Sequence, residues 1–252
     1  MNTGRPAAIT AAAPRALAIA AGLCYLLTHV TSVAAPFLYG PVLHDARYIV
    51  GAGPDTRVLA GAFCEVILAL AIVGTAVALF PVVRRHHEGL AMGYVGLRTL
   101  EAAIIAAGIV PLLAVVTLRQ QLAGAAGADA TLVPLGQALV AAHTWTLILG
   151  PGLTCGVNTV VLASLLSRSG LVPRVIPALG LVGGPLVFVY NTAALFGVHP
   201  PAWAGLAVIP IFAWEVSLAL RLIARGFDTS ASVVAAPGAA THEPTPELLG
   251  AG

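Results

Sequence analysis

Lysine is absent from the chain: all twelve basic residues are arginines. Charge of either sign is scarce, with Asp, Glu, Lys and Arg making up 9% of 252 residues. Soluble domains carry about 25%. A chain of this length with so few charges cannot cover a water-facing surface, so its surface must face lipid. The net charge of +2 is small and dispersed. No nucleic-acid motif accompanies it, and no nucleic-acid partner is expected. Cysteine is rare too. Cys24, Cys64 and Cys155 are far apart, each inside an apolar run, and none forms a C-x-x-C. An odd, scattered set of this kind gives neither a disulfide framework nor a metal knuckle, and the three read as small core residues. Also missing are H-E-x-x-H, G-x-S-x-G, a Walker loop and a strand-to-helix G-x-G-x-x-G. Those absences disfavour the familiar intramembrane proteases and ATP-driven transporters.

What remains is apolar. Hydrophobic residues are 59% of the chain and the mean hydropathy is +0.96. A helix needs about 20 mostly apolar residues to cross a bilayer. Six stretches qualify: 16–38, 58–80, 89–118, 132–166, 175–196 and 202–224. The expected fold is all-α, a polytopic membrane bundle of six transmembrane helices over 16–227. A cytoplasmic segment, 1–15, precedes it, and a disordered cytoplasmic tail, 228–252, too poor in apolar residues to fold, follows it. The first stretch also has the outline of a secretory signal ending near Ser32-Val33-Ala34, but its apolar run continues to Leu38, so it is read as a retained helix. The fourth stretch is too long for one straight crossing, and Gly150-Pro151-Gly152 near its middle predicts a kink or break.

Arginine placement sets the expected orientation. With six crossings, one side holds Arg5, Arg15, Arg84, Arg85, Arg168, Arg174, Arg221 and Arg225. The other holds Arg47, Arg57 and Arg119. Arginine-rich loops stay in the cytoplasm, so both ends are expected there, in a bacterial inner membrane. The lysine-free, alanine-rich composition reads as a GC-rich bacterial genome.

Ionisable residues at membrane depth are costly, usually face the bundle interior and mark functional sites. The candidates are Glu65 in the second stretch, Arg98 and Glu101 in the third, and Glu215 in the sixth. His29, His143 and Asn158 join them, with Asn191 a milder member. At ~1.5 Å rise per residue, Glu101 lies ~18 Å along its stretch, near the midplane. The spacing of three puts Arg98 and Glu101 on one helix face. A guanidinium can fork, so Arg98 is expected to reach both Glu101 and Glu215. Three acids against one arginine leave a surplus that needs protons or another partner. Gly89/Gly93, Gly152/Gly156 and Gly180/Gly184 have the spacing of close helix packing.

Several segments carry a resemblance. They are Arg15 with Ala21-Gly22-Leu23-Cys24-Tyr25-Leu26-Leu27-Thr28, Leu97-Arg98-Thr99-Leu100-Glu101-Ala102, and Ser169-Gly170-Leu171-Val172-Pro173-Arg174. The last is Trp214-Glu215-Val216-Ser217-Leu218-Ala219-Leu220-Arg221-Leu222-Ile223, closed by Gly226. Through these the chain resembles a bacterial membrane family known only as domain of unknown function 4386. The resemblance implies a multi-helix membrane fold, no established activity, and added interest in Arg98, Glu101 and Glu215. Three functions stay open. The first is a site that binds or moves a proton, an ion or a small amphiphile. The second is an accessory subunit using the cluster as a packing knot, with a homo-oligomeric or membrane-protein partner. The third, lesser reading is an enzyme acting on lipid or isoprenoid through His143 and a glutamate. No cofactor and no metal site are expected.

Overall fold

Backbone amides in an apolar setting must bond to one another, and a long apolar run does this within itself as a helix. The computed structural model describes residues 12–51, 55–122, 129–198 and 201–228. Its helices are α1 (Ala12–His44), α2 (Asp55–Val83), α3 (Glu88–Leu122), α4 (Asp129–Leu147), α5 (Cys155–Ser169), α6 (Val175–Leu195) and α7 (Pro201–Ala224). A π-helical turn, Ile148–Thr154, joins α4 to α5 without a break. Six helices among the described residues are therefore long and apolar enough to cross a membrane, the fourth running over Asp129–Ser169. The expected cytoplasmic segment 1–15 overlaps α1 from Ala12 on; its first eleven residues, and the tail beyond Asp228 that was expected to be disordered, lie outside the described residues.

The interruption sits where Pro151 put it. Proline has no N–H and crowds the carbonyl four residues back. Widening the turn relieves that crowding. The Cys155 amide bonds to Gly150, five residues back, and Thr154 Oγ1 donates to the Leu149 carbonyl at 2.9 Å. The chain thus takes up proline as a π turn and keeps the helix continuous, which is how such turns often mark functional positions.

Each long helix packs on its neighbours in sequence, and α7 returns to α1, closing a ring. The closure is tight at Gly22, where a Cβ would stand 2.7 Å from the Ala219 carbonyl oxygen. Arg15 seals it by donating to the Leu222 and Ile223 carbonyls in the last turn of α7, the first of which also accepts the Gly226 amide. At Gly156 and Gly184 the α5 and α6 backbones meet, each glycine facing the other's carbonyl oxygen within 3 Å of where a Cβ would be. Gly180 receives the Trp214 ring, and Gly152 receives Asn191. Two of the three small-residue pairs therefore serve packing inside the chain. Gly93 alone of the six glycines meets nothing within 4 Å.

Two main apolar clusters fill the two ends of the ring. One, around Tyr25, Leu79, Tyr94, Leu166, Trp214 and Leu222, lies at the end holding the described termini. The other, around Tyr39, Tyr48, Val58, Leu112, Val116 and Leu132, lies at the opposite end. Outward, Phe37, Phe63, Leu70, Val77, Val110 and Ile209 are exposed large hydrophobics on four helices, a surface suited to lipid.

A polar lock ties the opposite end. Asp55, at the N-terminus of α2, accepts from Arg119, from the Tyr48 hydroxyl at 3.0 Å and from Gln120 at 3.1 Å. Arg119 also donates to the Gly51 carbonyl at 2.8 Å and covers the Tyr48 ring at 4.7 Å. Burial, then the bond to Asp55, pushes the Tyr48 hydroxyl above its ordinary pKa, so it stays a donor. Outside the lock, Arg47 pairs with Asp129 at 2.6 Å.

Candidate functional site

Between the two clusters the helices leave a cavity of about 390 Å³. Six of the seven principal sequence candidates line it: His29, Glu65, Arg98, Glu101, His143 and Glu215. They come from α1, α2, α3, α4 and α7. Much of the remaining wall is apolar, including Leu43, Leu68, Ile72, Ile105 and Leu147.

The firmest part is built on α3. Arg98 and Glu101 are 2% and 3% exposed, one turn apart, with Arg98 Nη1 3.1 Å from Glu101 Oε2. Asn158 of α5 donates to the same oxygen at 2.6 Å. Asn158 therefore acts behind the cavity wall, holding the glutamate in place. Arg98 Nε donates to Thr75 Oγ1 of α2 at 3.1 Å, and the guanidinium lies 5.3 Å from the Tyr25 ring centre. Tyr25 and Tyr94 link by their hydroxyls at 3.0 Å, with Thr75 3.4 Å beyond. Arg98 Nη2 is buried with no hydrogen-bond partner among the described residues.

The expected fork of Arg98 between Glu101 and Glu215 does not form. Its second acceptor is Thr75, and Glu215 instead faces His29, with Oε2 3.6 Å from Nε2. That ring nitrogen is buried and makes no hydrogen bond among the described residues. Lone sequence spacing placed Arg98 and Glu101 correctly, but the rotation of α7 about its axis decides what Glu215 meets. The His29 ring also tilts against Phe212 of α7, 4.9 Å between centres.

A third group forms where α1, α2 and α4 meet. Glu65 Oε2 accepts from the Tyr39 hydroxyl at 2.9 Å, and its Oε1 lies 3.8 Å from His143 Nε2. His143 Nδ1 contacts the Gly108 carbonyl at 2.9 Å, which assigns the proton to Nδ1 and leaves Nε2 facing the carboxylate. Tyr39 meets the His143 ring edge-on at 5.4 Å. The apolar stretch read from the sequence ends at Leu38, one residue short of Tyr39. In the structure α1 runs through Pro41 to His44, and Tyr39 is 1% exposed. Its signal was spacing: His29, Ser32, Pro36, Tyr39 and Leu43 fall three or four apart and share the cavity face. Asn191, a milder candidate, instead donates to Val187 within its own helix at 2.9 Å.

Residues 20–226 match the family model described as Domain of unknown function (DUF4386). The chain belongs to this family. The match spans every lining residue of the cavity and also Asn158 and Thr75. No curated protein and no solved structure matches the chain. In this DUF4386 protein the three cysteines are free, and Cys155 lines the cavity beside the π turn. Among the described residues no group of three or more His, Cys, Asp or Glu side chains is arranged to hold a metal ion.

Proposed function

We propose that the protein is a multi-pass bacterial cell-membrane protein whose central cavity binds a small cationic amphiphile in exchange for protons. The observation that carries this is the charge balance of the cavity. Three carboxylates and a single arginine line it, and Arg98 is already committed to Glu101. Glu65 and Glu215 are left with a histidine each. Two uncompensated negative charges at membrane depth are too costly to persist. Each glutamate–histidine pair must hold a proton, or a bound cation must take its place. A mostly apolar wall and about 390 Å³ of space suit an organic cation with a hydrophobic body better than a bare ion needing a close shell of oxygens.

The arginine excess at the end bearing the described termini supports a cytoplasmic placement of both ends. A role as a packing knot draws on Arg98, Glu101 and Asn158, which are closed on one another, but it leaves Glu65 and Glu215 without a purpose. An enzymatic reading on His143 and Glu65 finds beside them the Tyr39 hydroxyl, which is already engaged as a donor to Glu65.

Calorimetric titration of the purified protein tests the proposal. Benzyltrimethylammonium is the probe, with benzyl alcohol and benzenesulfonate as neutral and anionic matches. Buffers of different ionisation enthalpy count the protons released. The cation alone is expected to bind, releasing about one proton. Its affinity then rises ~tenfold per pH unit where the proton is exchanged. Glu215→Gln and Glu65→Gln, tested singly, are expected to reduce the proton count. Equal binding of the three probes, or none, would reject the reading.

A further inference from the structure

A second cavity, about 300 Å³, lies at the end opposite the described termini. Its rim includes His44, Asp45 and Gln137, all exposed, and its floor includes Val42, Val115 and Val140. One residue, Leu43, lines both this cavity and the central one. Leu43 is half-buried and stands one turn beyond Tyr39 on α1. The central cavity follows one face of α1 from Thr28 to Leu43, ~22 Å of helix at ~1.5 Å per residue. Past the end of α1 at His44 the outer cavity is lined by the turn that carries Asp45 and Ala46.

We propose that the outer cavity is the aqueous vestibule of the central site and that the Leu43 side chain is the gate between them. This rests on reading the central cavity as a binding site. Three features support it. The outer rim is polar where a water-borne ligand would enter, whereas the shared wall is a single flexible aliphatic side chain. Its ionisable side chains are Asp45, His44 and the Tyr48 phenol, with no arginine, so its fixed charge favours cations over anions. Arg47, the nearest arginine in sequence, is engaged by Asp129. Finally, Leu43 sits next to Tyr39, which holds Glu65, so a cation passing the gate meets a carboxylate within the next turn. Rotamer changes of partly exposed aliphatic side chains take picoseconds to nanoseconds, and a leucine can therefore open without moving the helix.

The test uses the protein's own Cys155, which lines the central cavity. Cys24→Ala and Cys64→Ala in the full chain leave it as the single thiol. Labelling by a water-soluble trimethylammonium methanethiosulfonate is then timed by mass spectrometry. Leu43→Ala is expected to speed labelling at least fivefold and Leu43→Trp to slow it by a similar factor. Leu70→Ala, on the outward face of α2 and in neither cavity, is expected to leave the rate within twofold. Equal rates with leucine, alanine and tryptophan at position 43, including no labelling in any of them, overturn the gate. Labelling needs no ligand, so this result is separate from whether a cation binds. Protection of Cys155 by benzyltrimethylammonium reports on the binding reading by itself.

Discussion

Glu101→Gln is the sharpest perturbation of the site. The carboxylate receives Arg98 at 3.1 Å and Asn158 at 2.6 Å, and all three side chains are buried. Glutamine keeps an acceptor oxygen for Asn158 but removes the only carboxylate paired with Arg98. Removing one partner of a buried ion pair costs ~3–5 kcal/mol, because the other charge is left uncompensated. Glutamine can still accept one bond, so the low end applies, ~3 kcal/mol. For a chain of this size ~1 kcal/mol moves Tm by ~2–4 °C, giving a fall of ~6–12 °C. Thermal unfolding in detergent reads this directly. The cause is separated from simple damage by adding Arg98→Met. The double variant has no charge left at the centre, and isosteric apolar replacement of a buried pair is often neutral. It is expected to recover at least ~2 kcal/mol relative to the sum of the two single effects. Strict additivity, or a Tm for Glu101→Gln within ~1 °C of wild type, would refute the assignment of Arg98–Glu101 as the coupled structural pair.

Other expectations follow from the same packing. Glu215→Gln, whose partner His29 is approached at 3.6 Å without a hydrogen bond, should shift Tm by less than a third of the Glu101→Gln effect, as measured in the same unfolding series. Gly156→Ala drives a Cβ to 2.9 Å from the Gly184 carbonyl oxygen, a backbone atom that cannot yield alone, and should cost ~1–3 kcal/mol. Gly93→Ala meets open space and should stabilise by up to ~1 kcal/mol through helix propensity. Arg119→Ala removes the bonds to Asp55 and Gly51 and should lower stability by ~2–3 kcal/mol, with Arg119→Lys recovering only part because lysine cannot fork. Arg15→Ala uncovers the α7 C-terminal carbonyls and should speed amide hydrogen exchange at Arg225 and Gly226 while exchange near Glu101 stays unchanged.

How much of this was legible beforehand depends on whether a feature is set by one residue or by two. That a helix is long and apolar is a property of its own stretch, so the helix ends could be read to within four residues except at α1, which runs six further, and Pro151 marked its own interruption. An ionisable side chain deep in an apolar run likewise announces itself, since its cost comes from depth alone. His29, Glu65, Arg98, Glu101, His143 and Glu215 were found in this way, and the fold brings all six to one cavity. Partner choice is different, because it depends on the rotation of two helices about their axes. Arg98 with Glu101 was readable because one helix fixes both. Glu215 with His29, Glu65 with Tyr39, and Arg98 with Thr75 each need a second helix, and none was foreseen. The lock of Arg119 on Asp55 escaped for the opposite reason. Charges near helix ends cost little in water, so their sequence positions carry no sign that they will be buried together. The same distinction applies to the glycines. Spacing marks a surface that admits close approach, but only the fold shows that Gly156 is taken by Gly184 of the same chain while Gly93 stays open. A partner helix arriving from another molecule would therefore find the α5–α6 face already used. The cavity, not a small-residue surface, is where the chain spends charge that its packing does not require.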